Sequence, residues 1–82
     1  MNQPDRPSLT VFYQPPENMP LEEKIMDLAD NYAESLLYPF QETNEGIISV
    51  RFLFPDDKSL LEFKKSVVDV AFARGIYIHF GP

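Results

Sequence analysis

Thirteen of the 82 side chains are carboxylates and seven are basic, and the spacing of the carboxylates is the first chemistry this chain offers. Glu23, Asp27, Asp30 and Glu34 follow one another at intervals of four, three and four residues. On a helix, that spacing sets about one carboxylate per turn along a single face, with Glu22 beside them. Like charges so placed repel by roughly 0.2–0.5 kcal/mol per pair, and Lys24 is the one base between them. A partner carrying Lys and Arg would relieve that repulsion and would be steered in by it. The solvated side of any amphipathic helix is acidic in the same way, and the helix dipole favours acids near the N-terminus. Glu34 separates the two readings, because the expected helix places it in the last turn, where the dipole opposes negative charge. Met26, with Ala29, Ala33 and Leu37, forms an apolar margin beside the acids. The candidate partner-binding residues are therefore Glu22, Glu23, Met26, Asp27, Asp30 and Glu34.

Other chemistry is sparse. His79 stands alone, and a general base needs a nucleophile or carboxylate within hydrogen-bond reach, which no local motif supplies. Asp56-Asp57 follows Pro55 and precedes a helical pattern, so turn and cap chemistry accounts for the pair. Gly46, Gly75 and Gly81 are too scattered to cradle a phosphate. There are no cysteines, so disulfides and thiolate zinc sites are excluded, and a single histidine makes poor metal-site material. No enzyme activity, cofactor or metal is expected.

A net charge of −6 and a pI near 4.5 work against nucleic-acid backbones and anionic membranes and in favour of a basic protein surface. No apolar run is long enough to span a bilayer, and Met1–Pro7 lacks the basic-then-apolar order of a secretion signal. The expected location is the cytoplasm.

These residues need a scaffold, and the chain is long enough for one core. Residues 1–7 read as a mobile leader and 8–82 as a single domain. Leu9, Val11 and Tyr13 alternate in a first strand that Pro15-Pro16 closes. A helix is expected from about Pro20, capped at Asn18 or Met19, to Leu37, with Leu21, Ile25, Leu28, Tyr32 and Leu36 inward and Tyr38-Pro39 ending it. Phe40–Glu45 reads as a connection. Gly46–Phe54 alternates strongly as a strand, with Ile48, Val50, Phe52 and Phe54 on one face. Ser59 and Glu62 have the capping-box spacing that starts a second helix, which Gly75 should end after Arg74. Ile76–Phe80 returns as a third strand, parallel to Gly46–Phe54 through a crossover. The expected fold is α+β: a two-layer β-α-β-α-β sandwich with two helices on one face of a three-stranded sheet, ferredoxin-like but lacking one strand.

The second helix carries more apolar surface than one sheet face needs. Leu60, Phe63, Val67, Val70 and Ala71 form one arc, and Leu61, Val68 and Phe72 form another about 100° away. The first helix covers that second arc, or a partner does, whether another copy of the chain or a different protein. Thr10, Phe12, Ser49, Arg51, Tyr77 and His79 should share the outward sheet face, an aromatic surface with one arginine. The leading expectation is a small non-enzymatic regulator or inhibitor that docks on a basic protein surface, in its sharper form as a mimic of nucleic-acid phosphates. The alternative is an assembly subunit that forms a homodimer or larger homo-oligomer through a strand edge or through Leu61, Val68 and Phe72.

Overall fold

The computed structural model describes residues 6–14, 21–43 and 45–81. Leu9, Val11 and Tyr13 are all buried on one side of β1 (Ser8–Gln14), as a period of two requires. Helix α1 (Glu22–Tyr32), strands β2 (Ser35–Glu42) and β3 (Ile48–Leu53), helix α2 (Asp57–Arg74) and strand β4 (Tyr77–Gly81) follow. The four strands form one antiparallel sheet in the order β2-β3-β1-β4. The α+β class holds, but the sheet has four strands where three were expected. This is the whole β-α-β-β-α-β arrangement, with no strand lacking.

The extra strand corrects the expected helix end. The first helix stops at Tyr32, where Ala33 turns extended, and Leu36 and Leu37 lie on β2, part-exposed. Residues 35–42, read as helix end and connection, instead pair with β3. Its free edge carries backbone groups that need partners, and Glu34 N–H donates to the Leu53 carbonyl (2.7 Å) as the chain leaves α1. Pro39 has no N–H to offer a ladder, and it sits on an edge strand within the register shift between Tyr38 and Gln41, where its missing donor costs little. At the β2–β3 turn, Thr43 N–H donates to the Ile47 carbonyl (2.8 Å) and Gly46 takes a φ of 79°, which only glycine adopts freely.

The expected parallel crossover holds, with a strand inserted between its two ends. β3 and β4 do run parallel, but β1 lies between them and pairs antiparallel with both, Val11 facing Val50 on one side and Phe80 on the other. Both helices cover the same sheet face, since the buried strand residues and the buried helix residues belong to one cluster. Phe63 of α2 anchors it, with its ring 5.4 Å from Phe52 and 5.1 Å from Phe54.

α2 begins two residues before Ser59. Its N-cap is Asp56, whose Oδ1 accepts from Ser59 N–H at 2.8 Å, in place of the Ser59–Glu62 box. It ends as expected: Gly75 is left-handed (φ 69°), its N–H meets the Phe72 carbonyl, and Ile76 N–H meets that of Ala71. Residues 1–5 of the expected leader and the proposed cap residues 18 and 19 lie outside the described residues. Within the leader, Arg6 pairs with Glu34, and the Pro7 carbonyl accepts from Phe54 N–H at 2.8 Å.

Candidate functional site

The predicted carboxylates do converge on one feature, a groove between α1 and β2. α1 turns Ile25 and Ala29 into the core, and Met26, one position on from Ile25, falls on the flank that faces β2. From the other side, Phe40 and Leu36 of β2 form the opposing wall. Two adjoining open depressions result. One, about 360 Å³, is lined by Glu22, Glu23, Met26, Asp27 and Phe40. The other, about 230 Å³, includes Met26, Ala29, Asp30, Ala33, Glu34 and Leu36. Met26 is common to both, so all six residues singled out from the sequence line two neighbouring depressions in which acidic side chains surround apolar ones.

Their electrostatic situations differ. Glu22, Glu23, Asp27 and Asp30 are exposed on α1 and, among the described residues, form no ion pair with a base of this chain. Glu34 is different: it lies beyond the helix end and pairs with the Arg6 guanidinium. Its position therefore says nothing about the helix dipole. Asp30 takes over that role, because the last turn of α1 contains no basic residue to balance it. The β2 wall was missed in the sequence because residues 35–37 were read as the helix end, Tyr38-Pro39 as its stop and 40–45 as a connection. The alternation of Leu36, Tyr38 and Phe40 was the signal that could have found it.

The apolar stripe on α2 is uncovered. Leu61, Val68 and Phe72 are 60%, 40% and 86% exposed, so α1 does not pack on them. Leu60, Phe63, Val67, Val70 and Ala71 face the core as expected.

On the far side of the sheet, the register puts Phe12 opposite Ser49 and His79, and Thr10 opposite Arg51. The Phe12 and His79 rings lie 5.3 Å apart, and with Gln14, Ile47 and Tyr77 they border a shallow depression of about 200 Å³. Arg51 Nη2 donates to Ser8 Oγ at 2.7 Å. Asp56 is engaged in its cap, and the Ser59 N–H it accepts holds its carboxyl below the usual range. Tyr13 is 2% exposed, and its hydroxyl has no hydrogen-bond partner among the described residues. Burial, with a contribution from the Glu22 carboxylate, raises its pKa far above that of a free phenol.

Among the described residues, no three His, Asp or Glu side chains converge as metal ligands, and no helix is long and apolar enough to cross a membrane. No family model matches the chain, and no curated protein matches its sequence.

Proposed function

We propose that this chain is a non-enzymatic regulator or inhibitor, acting in the cytoplasm, that binds a basic surface of a protein partner through the α1–β2 groove. The observation that carries this reading is the coincidence of charge and shape: Glu22, Glu23, Asp27 and Asp30, unpaired among the described residues, line depressions whose apolar surface is Met26 on one side and Phe40 and Leu36 on the other, a surface that serves as the floor for a docked segment. A Lys- or Arg-bearing segment with an apolar side chain between its charges fits both features. The charge speeds encounter, and the floor slows release.

In the sharper form of the proposal, the carboxylates stand in for nucleic-acid phosphates. Glu23 and Asp30 are separated by about 10 Å of helix axis, close to three phosphate steps along one strand of a duplex. The partner would then be a nucleic-acid-binding protein whose groove this chain occupies. Such binding weakens with ionic strength, as the screening length contracts from about 30 Å at 10 mM to about 8 Å at physiological salt. The test measures a captured partner's association rate across that range for the natural chain and for Asp27→Lys/Asp30→Lys. The expected result is a rate that falls with salt and is at least about tenfold slower in the double variant. A rate indifferent to both would overturn the reading.

A second reading has its own observation, the uncovered Leu61, Val68 and Phe72 of α2: the chain is an assembly subunit that associates with copies of itself.

A further inference from the structure

We infer that two copies of this chain associate through α2, antiparallel about a twofold axis lying between Lys65 and Val68. The inference rests on the assembly reading above and is independent of the groove.

Charge is the first argument for a second copy as the occupant. A chain of net charge −6 repels itself, and α1, with four acids and one base, is where it does so most strongly. α2 is the exception: residues 57–74 hold four bases against three acids, a net +1. The exposed apolar stripe thus lies on the element where two copies meet with little long-range penalty.

Pattern is the second. Leu61, Val68 and Phe72 fall within about 40° of one another around the helix. Leu61 and Phe72 lie at nearly equal distances from the midpoint between Lys65 and Val68. An antiparallel twofold therefore sets each Leu61 against the other copy's Phe72, with Val68 against the aliphatic stem of Lys65. On the same flank, Lys65 of one copy meets Asp69 of the other, and the twofold makes that pair twice. Lys65 and Asp69 are both exposed and, among the described residues, form no ion pair within their own chain. Lys58 reaches the carbonyl end of the opposing α2, where a cation is favoured. A parallel pairing would instead bring like side chains together, Lys65 against Lys65.

One face of an 18-residue helix, about 27 Å long, is smaller than the roughly 800 Å² per partner of stable complexes. The dimer is therefore weak. Its two α1–β2 grooves remain open, giving one particle two copies of the acidic groove.

Sedimentation equilibrium from about 5 μM to 1 mM tests this on the full chain. The expected result is a monomer–dimer equilibrium that Phe72→Glu abolishes, with circular dichroism unchanged because the residue is exposed. Lys65→Asp should weaken the dimer at least about tenfold, and Lys65→Asp/Asp69→Lys should restore it by reversing both partners. A dimer indifferent to Phe72→Glu would overturn the α2 interface while leaving assembly through a strand edge. A natural chain that stays monomeric throughout would overturn the inference and the assembly reading together.

Discussion

Replacing Tyr13 with Phe should make this protein more stable, although the residue is among the largest in its core. The ring is fully packed on the helix-facing side of β1, between Ile48 of β3 and Ile78 of β4. Its hydroxyl gains nothing in return for leaving water, because no donor or acceptor among the described residues meets it. A buried polar group without a partner costs about 1–3 kcal/mol relative to its solvated state. Tyr13→Phe keeps the ring and removes that cost, less a small loss of packing where the oxygen was, for a net gain of about 1 kcal/mol. In a domain of this size, that corresponds to a rise in Tm of roughly 4–8 °C.

The same residue gives a second, independent readout in pH. A phenol in the unfolded chain loses its proton near pH 10, whereas the buried one retains it to much higher pH. The unfolded state therefore binds fewer protons above pH 10, and stability declines there by about 1.4 kcal/mol per pH unit on account of Tyr13. Below pH 10 the contribution is fully present. Urea unfolding at pH 7, 10 and 11 measures both effects. The natural chain should lose stability across the last interval, and the Phe variant should lose less. A Phe variant less stable at pH 7 would show that the hydroxyl has a bonding partner. An identical alkaline decline in both proteins would show that it ionises as freely folded as unfolded.

Phe63→Ala removes the ring that joins Phe52 and Phe54 and should cost about 3–5 kcal/mol. That is a large share of the stability expected of such a domain, and a sharply lowered or lost cooperative melt would check it. Asp56→Ala should lower Tm by removing the cap of α2, while Asp56→Ser retains it. Because the folded carboxyl is held below its unfolded pKa, the cap contributes above that unfolded value and is lost as pH falls through the folded one. The Tm gap between the natural chain and Asp56→Ala should accordingly close in acid. Gly75→Ala meets no neighbouring atom but forces a side chain into left-handed backbone, and a destabilisation of about 1–2 kcal/mol should appear in urea titrations.

Most elements were legible in the chain because each has one dominant local signal. The period-two runs around Val11 and Val50, the amphipathic period of α2, and Gly75 placed after it each support one backbone conformation, and the structure adopts it. The inward residues of α2 and the outward row from Thr10 to His79 follow from those periods alone. Spacing likewise determined that Glu23, Asp27 and Asp30 share one helix face.

Residues 33–42 were ambiguous, because Leu28, Tyr32 and Leu36 continue a helical period while Leu36, Tyr38 and Phe40 begin an alternating one. Only the tertiary structure chose, and it did so through the unpaired edge of β3, whose backbone groups gain partners from an extended neighbour and none from a longer helix. That choice completed the sheet, moved Glu34 off the helix into its pair with Arg6, and supplied the second wall that makes a groove of an acidic face. The bareness of Leu61, Val68 and Phe72 was decided in the same way. A sequence shows that a stripe is apolar, but which surfaces remain to cover it depends on where every other element has packed.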